Sequence, residues 1–143
     1  MQGQASGILY HYTAPDNAIN DWLVEQIKSR YGEPPDLFDA DGMNAALMAI
    51  YGLAASGGDT SSAALIAAME GLSFDGPKGT IDIRPEDHVA IQDMYIAKLV
   101  SVTDPAMRFL EPVTTTRPVP PCLLPENLKD RCGDLPYGSL SGQ

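Results

Sequence analysis

The sequence has 143 residues and a mass of 15.3 kDa, which is the size of one ordinary domain. Apolar residues make up 44% and charged residues 20%, a composition typical of globular rather than disordered proteins. The formal net charge of −10 argues against nucleic acid as a partner and against a polybasic membrane contact, because both need clustered Lys and Arg side chains.

The N-terminal segment predicts a strand followed by a helix. It has no basic region followed by an apolar stretch, so either the protein is cytosolic or an export signal lies outside this sequence. Residues 8–13 (ILYHYT) are β-branched and aromatic and predict a short strand. Asp16 predicts the N-cap of a helix that ends at Gly32, before two prolines. Apolar side chains at helical spacing predict one buried stripe, formed by Ile19, Trp22, Leu23, Ile27 and Tyr31.

Two further helices are predicted downstream. The second covers residues 39–56 and ends at a pair of glycines. The third covers residues 62–70, with Asp59 or Thr60 as its cap. Methionine and aromatic side chains inside the helices stand at core spacing and predict buried positions, at Trp22, Met43, Met48, Tyr51 and Met69.

The following segment combines turns with short strands. Residues 74–79 predict a turn-rich loop, residues 80–83 a strand, residues 84–87 a turn and residues 91–102 a long strand. The order strand, helix, helix, helix, hairpin indicates an α/β or α+β protein rather than a helical bundle. One early strand and one late hairpin are too few to cover both faces of three helices, so the pattern predicts a part of something larger.

Composition changes in the last third of the sequence. Seven of the twelve prolines lie in residues 103–143, and the stretch VTTTRPVPP at 113–121 cannot be helical. We interpret residues 103–143 as an extended, proline-rich tail that wraps over the body formed by residues 1–102. Cys122 and Cys132 lie in this tail. They predict a disulfide if the compartment is oxidising, whereas in the cytosol they would stay reduced.

No residue pattern indicates catalysis, a bound metal or a cofactor. The sequence lacks the nucleophile-elbow, phosphate-loop, dinucleotide-binding and zinc-protease motifs. His11 is either packed against other side chains or in contact with a ligand, since strand ends in α/β proteins face ligand crevices. His88 is interpreted as a solvated turn residue. The acidic run DLFDAD at 36–41 lacks the spacing of a calcium loop. Its aspartates are interpreted as caps of the second helix, whose start beside Phe38 also suits a ligand.

Several motifs follow one another along residues 7–102. They are an aromatic pair (11–12), D-N-x-x-N (16–20), Y-G-E-P (31–34), G-M-N-A (42–45), P-K-G-T-I-D-I-R-P (77–85), D-H (87–88) and I-Q-D-M-Y-I (91–96). In this order and spacing they resemble the late portion of type I periplasmic solute-binding proteins of ABC transporters, the leucine/isoleucine/valine-binding family. Met43, Asn44 and Lys78 depart from the family pattern, which usually has Tyr, Asp and Arg at these places.

The resemblance implies an α/β fold of two Rossmann-like lobes, of which this chain covers roughly the last third. Residues 1–102 would contribute parts of both lobes and of the crossovers between them, and residues 103–143 the tail with Cys122 and Cys132. The resemblance also implies solute binding without catalysis, in a cleft that closes by hinge motion between the lobes.

The family further implies site residues and partners. By its place in the motif, Phe38 resembles the aromatic residue that lines the side-chain pocket. Asp39 and Asp41 stand on the same rim, and His11 and Tyr12 are crossover-side candidates. The implied solute is a small amino acid or an aromatic or carboxylic acid, and the D-N-x-x-N version resembles the branch that binds aromatic acids. The implied partners are the permease subunits of an ABC importer and the remainder of the same binding protein, with the periplasm as the implied location.

Two alternatives stay open. A cytosolic ligand-sensing regulatory domain of the same fold would keep Cys122 and Cys132 reduced and would bind a regulatory partner. A small acidic enzyme would need a catalytic constellation, which the sequence does not display. Export and a disulfide distinguish the leading hypothesis from the first alternative, and the absence of turnover distinguishes it from the second.

Overall fold

A computed structural model of the protein describes residues 3–138. Its elements in chain order are β1 (Ala5–Ile8), α1 (Ala18–Tyr31), α2 (Leu37–Ala55), α3 (Ser62–Met69), β2 (Ser73–Gly76), β3 (Gly79–Ile83), β4 (Ala90–Ile91), β5 (Met94–Leu99), β6 (Leu110–Thr116) and a 3₁₀ helix (Glu126–Cys132). The predicted combination of three helices with strands on either side is confirmed. Within these residues no helix has both the length and the apolar character that a bilayer crossing requires.

The strands form two three-stranded sheets in which all pairs are antiparallel. In the first sheet β5 lies between β1 and β6, and in the second β3 lies between β2 and β4. Strand β6 lies within the tail that the sequence predicts at residues 103–143. Residues 110–116 of that tail are therefore part of the first sheet. The division into units at 1–102 and 103–143 stays a prediction, and residues 139–143 of the predicted tail lie outside the described residues.

The first strand lies earlier than the sequence predicts. The prediction placed it at residues 8–13, but β1 ends at Ile8. Beyond it the chain turns, with the Ala14 amide donating to the His11 carbonyl over 2.8 Å. The carbonyl of Tyr12 accepts a hydrogen bond from the Asn20 side chain rather than from a neighbouring strand. Local side-chain bonding therefore outweighs the strand propensity of this aromatic segment.

The hairpin near the middle of the chain also differs from the prediction. Residues 74–79, predicted as a loop, form most of β2 and the start of β3, joined by Pro77 and Lys78. Gly79 has a φ of 96°, a conformation that favours glycine and permits this tight connection. The long strand predicted at 91–102 is divided between β4 and β5.

The helix starts are displaced slightly from the predicted caps. Asn17, Asp36 and Ser61 are the N-caps, and each accepts a hydrogen bond from a backbone amide of the first turn. Asp16, Asp39 and Asp59, which the sequence favours, stand beside these positions or within the first turn. The predicted end of the first helix is confirmed, because Gly32 has a φ of 79° and its amide donates to the Lys28 carbonyl.

The core of the described residues includes two small clusters. Tyr10, Leu23 and Ala40 form one, and Phe74, Ile81 and Ile83 form the other. The predicted stripe on α1 is wrong in part, because only Leu23 of that stripe is buried. Several helix residues predicted as core are exposed, namely Trp22 (53%), Tyr31 (73%) and Tyr51 (45%). Met43, Met48 and Met69 are partly buried.

Candidate functional site

The start of α2 is organised by two aspartates. The Asp36 carboxylate accepts from the Phe38 amide at 2.8 Å and the Asp39 amide at 3.1 Å, and the Asp39 carboxylate accepts from the Asp36 amide at 3.0 Å. This reciprocal pair is a capping box, which satisfies the free amides of the first turn. The Asp39 carboxylate is thus engaged by the helix start itself, whereas the Phe38 ring between the two aspartates is 82% exposed.

The D-N-x-x-N motif has a structural role at the start of α1. The Asn17 side chain accepts from the Asn20 amide and donates to the Pro77 carbonyl at 3.0 Å. The Asn20 side chain, almost completely buried, accepts from the Tyr10 hydroxyl at 2.8 Å and donates to the Tyr12 carbonyl at 3.0 Å. Burial raises the pKa of the Tyr10 hydroxyl well above its usual range. The two asparagines therefore hold the segment before α1 in place.

His11 and Tyr12 contact the loop that precedes β6. The His11 ring lies 2.7 Å from the Thr13 hydroxyl and 3.2 Å from the Met107 carbonyl oxygen, and the Tyr12 hydroxyl donates to the Ala106 carbonyl at 2.8 Å. Burial lowers the pKa of His11, while the carbonyl of Met107 acts in the opposite direction. Burial also raises the pKa of the Tyr12 hydroxyl. Both polar groups are consequently occupied by the chain's own atoms.

A surface depression brings some of the predicted site residues together. It has a volume of about 200 Å³, and its lining includes His11, Tyr12, Asp36, Leu37, Met107 and Phe109. His11 and Tyr12 thus meet the start of α2, as a shared site would require. Asp39 lines a neighbouring depression of about 260 Å³, while Phe38 lines neither.

Asp41 points toward a different part of the molecule. Its carboxylate lies 3.4 Å from the ammonium nitrogen of Lys78, which sits in the β2–β3 turn with a side chain only 1% exposed. The Lys78 carbonyl accepts from the Tyr95 hydroxyl at 3.1 Å, and burial raises the pKa of that hydroxyl to about 12. Together with the bond from Asn17 to Pro77, these contacts fix the β2–β3 turn against α1, α2 and β5. The role of Asp41 in ligand binding stays a prediction.

Two arginines that sequence reasoning missed attach the tail to the second sheet. The Arg84 guanidinium donates to both oxygens of Asp87, at 2.7 and 2.6 Å, and to the Pro120 carbonyl at 2.7 Å. The hydrogen bonds with Arg84 hold the pKa of Asp87 below its usual range. Arg117, on the tail, pairs with Asp82 and with Asp93. The sequence shows only that Arg84 lies in a predicted turn and that Arg117 lies in the predicted tail.

The two cysteines of the tail are bonded to each other. The Cys122–Cys132 disulfide closes a loop that contains the 3₁₀ helix, and both residues are buried. A bridge also joins Cys122 to Tyr137, with the Cys122 amide donating to the Pro136 carbonyl at 2.8 Å. The disulfide expected for an oxidising compartment is therefore present.

The comparison with known protein families identifies the class of protein to which this chain belongs. The family described as "Periplasmic binding protein" matches residues 1–104. The chain belongs to this family. Its members bind solutes and are not enzymes, which confirms the predicted absence of catalysis.

Individual relatives agree with this assignment. The Leu/Ile/Val-binding protein homolog 6 of Brucella abortus (strain 2308) is 29% identical over 105 residues, which cover 70% of this chain and 27% of that protein. The structure of an ABC-type branched-chain amino acid transporter of Rhodopseudomonas palustris CGA009 is 41% identical with a TM-score of 0.74, covering 81% of this chain and 31% of that one. A solute-binding protein of an ABC transporter from Rhodopseudomonas palustris BisB5, in complex with 3,4-dihydroxybenzoic acid, is 25% identical with a TM-score of 0.69, again covering 81% and 31%.

The coverage of these relatives shows how much of a periplasmic binding protein the chain spans. The chain spans between 27% and 31% of the length of these relatives, which are two-lobed proteins. The prediction that the chain forms about a third of a two-lobed α/β fold is confirmed. The roles of Phe38, Asp39, Asp41, His11 and Tyr12 in solute binding stay predictions.

Proposed function

We propose that these residues act as part of the extracytoplasmic solute-binding component of an ABC importer, which binds a small solute between two lobes and delivers it to the permease. The match of the periplasmic binding protein family to residues 1–104 is the observation that carries this proposal. The likeness to a protein bound to 3,4-dihydroxybenzoic acid and to a branched-chain amino acid transporter supports an amino acid or an aromatic or carboxylic acid as the solute.

The disulfide supports an extracytoplasmic location, namely the periplasm. Disulfides persist in oxidising compartments and are rare in the cytosol. The Cys122–Cys132 bond therefore favours export over a cytosolic regulatory domain of the same fold, which would keep both thiols reduced.

The exposed ring of Phe38 is the proposed solute contact. It projects from the first turn of α2, where the helix dipole and the depression lined by His11 and Tyr12 lie close by. An aromatic ring held at the edge of a cleft buries its surface only when a solute and the opposite lobe close over it, which suits a hinged trap.

The test is a titration of the complete binding protein with L-leucine, L-isoleucine, L-valine, benzoate and 3,4-dihydroxybenzoate by calorimetry. Phe38→Ala is expected to weaken binding of the preferred solute at least tenfold, while Trp22→Ala, which removes a half-exposed ring on α1, leaves the affinity unchanged. Equal affinities for wild type and Phe38→Ala would remove Phe38 from the site. Binding of none of these solutes would contradict the proposed solute class.

A further inference from the structure

The described residues form two parts that short stretches of chain connect. Within residues 3–138, strands β1, β5 and β6 pair only with one another, and we call this first sheet the sheet part. Helices α1 and α2 pack against β2, and α3 packs against α2, so the helices and the second sheet together form the helical part. The chain passes between the two parts at residues 9–17, from β1 to α1, and at residues 92–93, from β4 to β5.

The tail makes a third passage, from the sheet part back to the helical part. Directly after the end of β6, the side chain of Arg117 reaches the second sheet. Its guanidinium donates to the Thr80 and Ile91 carbonyls at 2.8 and 3.1 Å. It also donates to the Asp93 carboxylate at 3.1 Å and pairs with Asp82. One side chain therefore binds β3, β4 and the passage between β4 and β5 at the place where the tail arrives.

The tail is fixed to the helical part at two further places. Arg84, which is 8% exposed, donates to the Pro120 carbonyl at 2.7 Å. Arg131, in the loop that the disulfide closes, lies 3.8 Å from the Glu70 carboxylate beyond the end of α3. The start of the tail belongs to the ladder between β5 and β6. The tail is thus held by the sheet part at one end and by three arginine contacts with the helical part at the other.

The place where Arg117 binds matters for motion between the two parts. Hinge motions are absorbed by a few residues in the connections between rigid units, and residues 92–93 are such a connection. Arg117 bonds the second of these residues, Asp93, and the neighbouring Ile91. A guanidinium holds several acceptors at fixed angles because its donors lie in one rigid plane. Since Arg117 directly follows β6, a rotation of the sheet part about this connection would pull the guanidinium away from these acceptors.

We propose that Arg117 and the tail at residues 117–121 brace the connection at residues 92–93 and limit how far the sheet part and the helical part swing apart. The match to the periplasmic binding protein family ends at residue 104, so this brace lies beyond the region by which the family is recognised. The inference rests on the proposed function in one respect, namely that the two parts move relative to each other as pieces of the two lobes of a solute-binding protein.

The experiment measures the distance between the two parts in the complete binding protein. Spin labels are attached to the exposed positions Glu25→Cys on α1 and Lys98→Cys on β5, and electron–electron resonance records the distance distribution without solute. Arg117→Gln removes the charge-assisted bonds and is expected to broaden the distribution about twofold. Arg30→Gln, at an exposed arginine that bonds a neighbour on its own helix, is the control and is expected to leave the distribution unchanged.

A second variant separates a brace from a side chain that only stabilises the second sheet. A flexible Gly-Ser-Gly-Ser linker inserted between Thr116 and Arg117 keeps the arginine and its acceptors but slackens the link to β6, so the same broadening is expected. The same linker between Gly58 and Asp59, in the exposed loop from α2 to α3, is the matched control and is expected to change nothing. Thermal melting shows that each variant is folded.

The outcomes separate the brace from other roles of the tail. Unchanged distributions for both Arg117→Gln and the linker after Thr116 would overturn the inference. Broadening by Arg117→Gln alone would make the arginine a local stabiliser of the second sheet and would also overturn it. Titration of the same protein with L-leucine and benzoate tests the proposed function separately. A protein whose distance distribution depends on the brace but that binds no solute would leave the inference standing while the proposed function fails.

Discussion

Two buried asparagines on neighbouring helices have opposite surroundings. Asn20 on α1 is 1% exposed and bonds the Tyr10 hydroxyl, the Tyr12 carbonyl and the start of its own helix. Asn44 on α2 is 7% exposed and has no partner within the described part of the chain. The partners of Asn20 are close in sequence. The contrast therefore shows that Asn20 is satisfied by segments close to it in sequence, whereas Asn44 is enclosed without a hydrogen-bond partner among the described residues.

Replacing Asn20 gives the largest expected effect. Asn20→Leu removes the acceptor of the Tyr10 hydroxyl and the donor to the Tyr12 carbonyl, leaving both in a buried place. We expect the free energy of unfolding to fall by about 2–4 kcal/mol in a urea titration. Asn127→Leu, an exposed position in the 3₁₀ helix, is the control and is expected to change stability by less than about 0.5 kcal/mol. A loss below about 1 kcal/mol for Asn20→Leu would remove the contrast with Asn44.

The position of Asn44 can be tested from the β2 side. Because a Cβ on Gly76 would stand 2.1 Å from the Asn44 oxygen, Gly76→Ala is expected to cost about 1–2 kcal/mol by overpacking. In an Asn44→Ala background the cost is expected to fall below about 0.5 kcal/mol, and the double-mutant cycle measures the difference. Gly42→Ala, on the same helix with open space around it, is expected to stabilise the helix. Additive effects at Gly76 and Asn44 would contradict the confinement of the amide.

The two regions also differ in how far the sequence predicts them. Around Asn20 the signals are local: Gly32 as the end of α1 and the turn chemistry near the prolines are visible along the chain, although the cap of α1 is Asn17 rather than the predicted Asp16. The strand predicted at 8–13 is wrong there, because the chain turns at His11 and the Asn20 side chain bonds the Tyr12 carbonyl in place of a strand ladder. The fold class and the Cys122–Cys132 disulfide follow from motifs and context.

Contacts between distant segments were not predictable in this way. The bond from Arg84 to Pro120 spans 36 residues and the pair of Arg117 with Asp82 spans 35, and neither pair has a periodic signal. Asn44 was noticed as a departure from the family pattern, but its burial depends on the packing of β2 against α2. Which candidate site residues share one depression likewise depends on long-range packing, which brings His11 and Tyr12 to α2 and leaves Phe38 exposed.

The pH dependence of stability offers a milder test of the packing in the region around Asn20. Burial lowers the pKa of His11, so the folded state holds fewer protons than the unfolded state at pH values just below the ordinary histidine pKa of about 6.5. Stability is therefore expected to be full above about pH 6.5 and to decrease as the pH falls below it, by at most about 1.4 kcal/mol per pH unit.

His11→Gln is expected to remove this component. Comparing the free energies of unfolding of both proteins between pH 8 and 5 measures it. The depressed pKa values of Asp82 and Asp87 contribute at lower pH and are common to both proteins. Parallel curves for the two proteins over this range would show that His11 is not enclosed by the segment around Met107.

The smallest expected effect on stability belongs to the residue proposed to contact solute. Phe38 is 82% exposed and touches neither core cluster, so Phe38→Ala is expected to change the free energy of unfolding of the chain by less than about 0.5 kcal/mol in a urea titration. Since the capping bonds at this helix start use only the backbone of Phe38, they survive the substitution. A loss above about 1 kcal/mol would mean that the ring packs against protein in the folded state. It would then belong with the packed interior of the chain rather than with a surface reserved for solute.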